Sequence, residues 1–169
     1  AHLARPPCRN ETAPSTVAPM DAIDRKILDH VQRRGRDTYA EIGETAGLSI
    51  SAVNERLRKL EARGIIRAWR AEVDPAALGR PVLAFVLVAI AGTKEDNAFR
   101  KSIRRLPEVL ECHAVTGGWS YLLKLRLAAL EQLEAFVAGQ LRTMAGVDRV
   151  DSWLATSSVK ETAMVPPAG

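Results

Sequence analysis

The sequence has few of the residues on which metalloproteins and disulfide-rich proteins depend. Its two cysteines, Cys8 and Cys112, are too few and too far apart for a disulfide framework or a zinc ligand set. Its three histidines are scattered, and Cys112 and His113 are neighbours that point to opposite faces of a predicted strand. We therefore expect no metal and no cofactor.

Long apolar runs are also missing. The longest, from Val82 to Ala91, is about half the ~20 residues that a membrane-spanning helix needs. The first residues contain no apolar core of the signal-peptide type. No nucleophile–base triad, glycine-rich phosphate loop or carboxylate pair stands out. We expect a cytoplasmic protein that is not an enzyme and has no membrane partner.

What the sequence does contain is a local concentration of positive charge. The 169 residues are 47% hydrophobic and 26% charged, with a net charge of +4, which is ordinary for a globular protein. Between Ser49 and Arg70, six basic residues face only two acidic ones, an excess as large as that of the whole chain. This concentration favours a nucleic-acid partner. The residues are Arg56, Arg58, Lys59, Arg63, Arg67 and Arg70, against Glu55 and Glu61.

Residues 38–63 have the pattern of two short helices joined by a tight turn. Thr38 and Glu41 have the spacing of a capping box, and Ser49 is placed to cap the second helix. A preceding helix begins after Asp21. The second helix has three apolar residues at helical spacing, Val53, Leu57 and Leu60. The pattern predicts a helix-turn-helix motif, whose second helix enters the DNA major groove.

Composition divides the chain into segments, with prolines and small residues marking the main boundary. An extended stretch after the motif predicts a strand from Ile65 to Val73 that forms a small wing. The predicted segments are a disordered leader or cloning remnant (1–19), a helix-turn-helix DNA-binding domain (20–73), a linker (74–81), a second domain (82–160) and a tail (161–169).

The second domain has the element order β-α-β-β-α-β. This order predicts an α+β, ferredoxin-like (ACT-like) sandwich, with two helices on one face of a four-stranded antiparallel sheet. Gly117 and Gly118 predict a tight hairpin turn. The strand at residues 82–91 is apolar on both faces, which would leave one apolar face exposed. We therefore expect a dimer at least, with sheets facing each other.

Both halves resemble the leucine-responsive regulatory protein / asparagine-synthase regulator (Lrp/AsnC) family of bacterial and archaeal transcription factors. Residues 20–28, MDAIDRKIL, resemble the family's opening pattern L-D-x-x-D-x-x-I-L. Residues 47–66 follow its DNA-binding pattern, and ECHAVTG with YLLK at residues 111–124 resembles its ligand-sensing hairpin. The resemblance implies a winged helix-turn-helix domain followed by the sandwich domain, and it makes residues 82–160 a ligand-sensing and oligomerisation domain.

The resemblance further implies a sequence-specific regulator that binds pseudo-palindromic double-stranded DNA as a dimer, tetramer or octamer. With helix geometry, it places Asn54 and Arg58 at adenine and guanine edges, and Arg56, Lys59 and Thr38 at phosphates. An ion pair between Glu55 and Lys59 on a solvated helix face is the alternative. The candidate DNA contacts are Thr38, Ser49, Ser51, Ala52, Asn54, Glu55, Arg56, Arg58 and Lys59.

The same resemblance implies an amino-acid or related effector at a subunit interface. Much of the family has Gly-Asp/Asn-x-Asp-Tyr in the hairpin, where this chain has Gly118 and Ser120 at the acidic or amide positions. The loop offers no negative charge to an ammonium group. An effector without ammonium, a ligand stacked on Trp119, or no effector are all open. The candidates are Thr116, Gly117, Gly118, Trp119, Ser120, Tyr121, Thr156 and Ser157.

Two other functions remain open at this point. Some proteins that resemble this architecture are sirohaem decarboxylases, for which His113 is the candidate histidine. The other function is an architectural DNA organiser with weak sequence preference.

Overall fold

The computed structural model describes residues 20–168, so the predicted leader at 1–19 lies outside the described residues. Over this range the chain divides into two compact units. One unit is Val73–Val159, and the other consists of residues 20–72 together with residues 160–168. None of the helices in the described range is long and apolar enough to cross a membrane.

Three helices form the first unit, and side chains cap them where the sequence predicts. The Asp21 carboxylate accepts a hydrogen bond from the backbone N–H of Asp24 at 2.7 Å. Thr38 and Glu41 form the reciprocal capping box, and the Ser49 hydroxyl accepts from the backbone N–H of Ala52. These caps satisfy N–H groups that have no partner within the helix. The helices are α1 (Ala22–Arg33), α2 (Tyr39–Ala46) and α3 (Ile50–Ala62).

A close approach between α2 and the following turn depends on glycine. Gly47 ends α2 in the left-handed conformation, with a φ of 70°. Gly43 lies inside α2, where a glycine is intrinsically unfavourable. A Cβ atom at Gly43 would lie 2.6 Å from the backbone oxygen of Leu48. A Cβ atom and an oxygen without a bond between them do not approach so closely. The missing side chain at Gly43 therefore allows the tight turn into α3.

The predicted wing strand is wrong. No strand occurs between α3 and residue 81 of the described chain. A strand needs a neighbour for its backbone hydrogen bonds, and the described residues provide none beside this segment. Instead, the backbone N–H groups of Ile65 and Ile66 donate to the Leu60 carbonyl and end α3. The side chains of Ile65 and Ile66 then pack on the helical core.

The last described residues lie with the first unit. The Gln32 side-chain amide donates to the Val165 carbonyl at 3.0 Å, and its oxygen accepts from the Val165 N–H at 2.9 Å. A cleft of about 620 Å³ is lined by residues of α1, Thr45 and residues 166–168. The sequence did not indicate this arrangement.

The second unit confirms the predicted sandwich. All strand pairs are antiparallel, and the strand order is β2-β3-β1-β4. A π-helical segment, Val137–Leu141, continues α5. The elements are β1 (Val82–Ile90), α4 (Thr93–Ile103), β2 (Val109–Ala114), β3 (Tyr121–Leu127), α5 (Glu131–Phe136) and β4 (Val147–Leu154).

Strand β1 is less exposed on its second face than its sequence predicts. Ala84, Val86 and Val88 are fully buried in the core with the helices. Leu83 and Leu87 alternate with them and are 7% and 8% exposed within one chain. We call the sheet face that the helices do not cover the open face. Because long side chains of β3 and β4 stand beside β1, the apolar area left on the open face is smaller than expected.

We predict that Gly43→Ala destabilises the first unit. The added methyl group must displace the backbone at Leu48, and overpacking of this kind costs about 1–3 kcal/mol. The measurement is the urea midpoint from the helical circular dichroism signal. Gly139→Ala is the control, because a Cβ atom there meets no atom within 4 Å. Equal midpoints for the two variants would contradict the close approach.

The capping box formed by Thr38 and Glu41 makes the stability of the first unit depend on pH in acid. The Thr38 backbone N–H and then its hydroxyl donate to the Glu41 carboxylate, at 2.6 and 2.8 Å, and hold the pKa of Glu41 below its usual value. Because this pKa is lowered in the folded state, the stabilisation is complete above the unfolded pKa of ~4.3 and is lost as the pH falls through the folded value.

Glu41→Gln is therefore expected to make stability less dependent on pH below about 4.5. The measurement is the urea midpoint as a function of pH. Glu44→Gln serves as the control, because Glu44 is exposed and its side chain forms no hydrogen bond within residues 20–168. An unchanged pH slope in Glu41→Gln would show that the capping box does not contribute to acid stability.

Candidate nucleic-acid interface and effector loop

Helix α3 presents a polar face because its opposite face is buried. Val53, Leu57 and Leu60 are at most 3% exposed and pack in the core of the first unit. Helical geometry then turns the intervening residues outward. The candidates exposed on this helix are Ser51, Asn54, Glu55, Arg58 and Lys59.

The N-terminal end of α3 carries two hydroxyl groups side by side. The Ser49 and Ser51 hydroxyl oxygens are 3.1 Å apart, and both residues are exposed. Ala52 is half-buried. Thr38 is exposed at the start of α2, but its hydroxyl already donates to Glu41. The structure therefore leaves hydroxyl groups of α3 accessible at the end predicted to enter the groove.

The Arg56 side chain holds α3 to the start of α1. Its Nη1 lies 2.7 Å from an oxygen of Asp21 and 2.7 Å from an oxygen of Asp24. These two carboxylates raise the pKa of Arg56, with Asp21 contributing most. The pKa of Asp21 is lowered in turn, first by the Asp24 backbone N–H and then by Arg56. A phosphate contact by Arg56 stays a prediction, and it would compete with both carboxylates.

Lys59 is also paired in the structure. Its Nζ lies 2.5 Å from an oxygen of Glu55, one helical turn away. This contact lowers the pKa of Glu55. Both side chains are about two-thirds exposed, at 68% and 66%, so water and salt weaken the attraction. The pair can therefore open without a large loss of stability.

Trp69 contributes to this surface in a way that the sequence did not indicate. Its indole Nε1 donates to the Glu61 carboxylate at 2.7 Å. The indole closes a cleft of about 210 Å³, which is also lined by Asn54 and Arg58. Trp69 thus holds the chain after α3 beside two candidate base-contacting residues, although no wing strand forms.

Three arginines on α3 or after it keep their charge unpaired within the described residues. Arg58, Arg67 and Arg70 form no hydrogen bond or ion pair with any residue from 20 to 168. Arg56 and Lys59 are paired with carboxylates instead. The positive charge available to a partner therefore lies at Arg58 and after α3, rather than along the whole helix.

The candidate effector loop is longer than the predicted two-residue turn, and that prediction is wrong. Six residues separate the end of β2 from the start of β3, which makes residues 115–120 the loop. Ser120 causes this, because its N–H donates to the Val88 carbonyl and its hydroxyl accepts from the Ile90 N–H. The N–H of Val115 donates to the Ser120 carbonyl and closes the loop.

Arg149 of β4 reaches the loop, a contact that the sequence did not reveal. Its Nη2 donates to the Gly118 carbonyl at 3.1 Å. Its guanidinium carbon lies 4.2 Å from the centre of the Trp119 ring, within the range of a cation–π contact. Thr116, Gly117 and Gly118 are exposed, and Trp119 is half-buried. Arg149 was missed because its sequence position lies far from the hairpin.

Tyr121 is directed into the domain rather than toward the loop. Its hydroxyl donates to the Asp96 carboxylate at 2.6 Å, and Asp96 also accepts from Arg100 at 2.8 Å. Burial, followed by the contact with Asp96, raises the pKa of Tyr121 to about 12. Tyr121 therefore stays protonated and supports the start of β3.

Thr156 and Ser157 lie far from the loop within one chain. They follow the end of β4, where Ala155 N–H donates to the Leu83 carbonyl near the start of β1. The loop lies at the other end of β1, ~20 Å away by the rise of an extended strand. A single chain does not bring these two groups of candidate residues together.

His113 lies on the surface of β2. Its Nε2 is 3.1 Å from a Glu111 oxygen, and Lys124 Nζ is 3.3 Å from the other Glu111 oxygen. Cys112 points to the core, and burial raises its pKa to about 11. Among residues 20–168 no three histidine, cysteine or acidic side chains lie close enough together to hold a metal ion.

Comparisons with known proteins match both units. Residues 20–61 match the AsnC-type helix-turn-helix domain, and residues 83–165 match the Lrp/AsnC ligand binding domain. The leucine-responsive regulatory protein of Haemophilus influenzae is 34% identical over 145 residues, 85% of this chain and 87% of that protein. The HTH-type transcriptional regulator FL11 of Pyrococcus horikoshii is 32% identical over 148 residues, 88% and 97% of the two chains.

A solved structure agrees with these sequence matches. A transcriptional regulator from Neisseria meningitidis, solved as a complex with L-Met, is 34% identical to this chain with a TM-score of 0.83. The similarity covers 88% of this chain and 97% of that one. With a helix-turn-helix unit, a four-stranded α+β unit and these relatives, the chain belongs to the Lrp/AsnC family of transcriptional regulators.

Proposed function

We propose that this protein regulates transcription by inserting α3 into the major groove of a pseudo-palindromic DNA site. A small molecule bound at residues 115–120 would modulate that binding. The observation that carries the proposal is the outward-facing row of side chains on α3, where Arg58 is exposed and has no partner among residues 20–168. We propose a cytoplasmic location, because a regulator of this kind acts on the DNA there, and we assign the protein no catalytic step.

Specific contacts are assigned to the residues that the structure leaves available. Arg58 can donate two hydrogen bonds to a guanine, and Asn54 can pair with an adenine. Both residues line the cleft beside Trp69, so their side chains project from the same face of α3. Ser49 and Ser51, at the helix N-terminus, are assigned to the deepest part of the groove.

Phosphate contacts are assigned to Lys59, with Thr38 beside the α2 N-terminus. The exposed Lys59–Glu55 pair can exchange its carboxylate for a phosphate at small cost. Arg56 differs, because two carboxylates on α1 hold it at 2.7 Å. We therefore assign Arg56 mainly to the orientation of α3 relative to α1.

Self-association is proposed through the open face of the sheet. Phe85 is half-buried at its centre, and its register partner on β4, Trp153, is 55% exposed. An exposed indole next to a phenyl ring is typical of an interface anchor. A dimer would hold two copies of α3 at a spacing that matches two half-sites on the DNA. The domain boundary at residues 74–81 would separate DNA binding from assembly and sensing.

For DNA recognition, Arg58→Ala is expected to weaken binding to the specific site by about 1–3 kcal/mol. Lys59→Ala is expected to weaken specific and random DNA alike and to lower the salt slope by about one unit. Gel shifts at several salt concentrations measure both effects. Arg142→Ala, an exposed arginine of the second unit, is the charge control.

If neither α3 variant changed DNA retention, α3 would not be the recognition helix. Competition with random DNA separates a regulator from an architectural organiser. A specific regulator prefers its own site by ~10³ or more at physiological salt.

For assembly, Trp153→Glu is expected to reduce the mass in multi-angle light scattering toward that of one chain. The substitution places a charge where we propose that two open faces meet. Leu130→Glu is the control, because Leu130 is 52% exposed and precedes α5 on the helical side. A single-chain mass for the unsubstituted protein at micromolar concentration would contradict the proposed interface.

A further inference from the structure

We infer that the loop at residues 115–120 and Arg149 together bind an organic carboxylate that carries no ammonium group, such as a 2-oxo acid with an apolar side chain. The inference rests on the proposed function, in which this loop is the effector site. It goes further by naming the chemical class of the effector and the residue that selects it.

Arg149 is placed for this role by its position in the sheet. On β4 it lies opposite Ala89 of β1, and the next residue of β1, Ile90, bonds to Ser120 in the loop. The end of β1 therefore lies between Arg149 and the loop. Because the side chain at position 89 is only a methyl group, the long Arg149 side chain can cross β1 and reach Gly118.

The guanidinium is held in place but keeps hydrogen-bonding capacity. An arginine has five N–H donors, and the hydrogen bond from Arg149 to the Gly118 carbonyl uses Nη2. The contact with the Trp119 ring, together with this hydrogen bond, restricts the guanidinium to one position beside the loop. Asp148, the preceding residue, has no register partner on β1, because Ala89 pairs with Arg149 and Ile90 with Val147 at an irregularity of the ladder. A preoriented, exposed guanidinium binds a carboxylate through two parallel hydrogen bonds.

These loop contacts offer an ammonium group no carboxylate, only carbonyl and hydroxyl oxygens that each already accept a hydrogen bond. The Gly118 carbonyl accepts from Arg149. The Ser120 carbonyl accepts from the Val115 N–H, and the Ser120 hydroxyl accepts from the Ile90 N–H. An ammonium beside the Arg149 guanidinium would also meet a like charge.

The nearby carboxylates are occupied as well. Asp96 accepts from Tyr121 and from Arg100. Asp151 lies two residues after Arg149 on the same face of β4, and it accepts from the Trp153 indole at 3.1 Å. Residues 115–120 carry no charged side chain, so the charge in direct contact with the loop is the positive charge of Arg149, which favours an anion over a zwitterion.

Position 118 decides this preference and is open to substitution. The nearest atom to a Cβ at Gly118 is Arg149 Nη2, at 4.0 Å, which is an ordinary contact distance. An aspartate at position 118 would fit, pair with Arg149 and supply a negative charge for an ammonium group. Gly118→Asp is therefore expected to convert the loop from a carboxylate site to an amino-acid site.

Isothermal titration calorimetry measures the binding of matched ligand pairs, an oxo acid and the corresponding amino acid, to the full chain. Each pair differs only at the α-carbon: phenylpyruvate with L-phenylalanine, and 4-methylthio-2-oxobutanoate with L-methionine. We expect at least one oxo acid to bind about tenfold or more tightly than its amino acid. Tighter or equal binding of both amino acids would overturn the inference, as would failure of both oxo acids to bind at ~10 mM.

Variants test which residue is responsible for the preference for oxo acids. Arg149→Gln is expected to weaken oxo-acid binding about tenfold or more, and Gly118→Asp to reverse the preference within each pair. Arg142→Gln removes the same charge from an exposed position outside the loop. It is expected to change neither the affinity for the oxo acids nor the preference within each pair. Unchanged oxo-acid binding in Arg149→Gln, or the same loss in Arg142→Gln, would exclude Arg149 as the selecting residue.

Gel shifts without ligand, on the same preparations, separate this inference from the proposed function. Intact DNA binding together with failed oxo-acid binding would contradict only the effector class. Loss of specific DNA binding in the unsubstituted protein would contradict the regulator itself, whatever the calorimetry shows.

Discussion

Burial of one face of α3 is the constraint on which the DNA-binding surface depends. Val53, Leu57 and Leu60 are almost fully removed from water, and each such side chain stabilises the unit by ~1.5–3 kcal/mol. Once these three face inward, the rotation of α3 is determined, and Ser51 and Arg58 must face outward. Gly43 makes the arrangement possible because no side chain separates α2 from the turn.

Charged contacts then sort the basic residues of α3 into different roles. Two carboxylates near the start of α1 hold Arg56, so this residue fixes the position of the helix. Lys59 is in an exposed pair that water weakens, and Arg58 has no partner in the described part of the chain. The same physical chemistry operates in the second unit. There a methyl-sized residue at position 89 lets Arg149 reach the loop, where the side chains of Ser120 and Tyr121 are already engaged.

Much of the fold could be predicted from the sequence because its determinants are local. Asp21, Thr38 and Ser49 cap helices within three residues of themselves, and apolar spacing identified the inner face of α3. The prediction of a wing strand was wrong because a strand needs a neighbouring strand, which a local sequence pattern does not reveal. The prediction of a two-residue hairpin turn was wrong because Ser120 forms a hydrogen bond with β1, about 30 positions away along the chain.

The sequence by itself determined the family, the order of the elements and which face of each helix is buried. These features follow from caps, periodicity and short motifs, whose energies act between near neighbours. Only the tertiary structure decided which charges remain available. Arg56 is paired with residues 35 and 32 positions away, and Arg149 reaches a loop 31 positions away. Contacts over such separations exist only after the chain has folded, so the local pattern cannot reveal them.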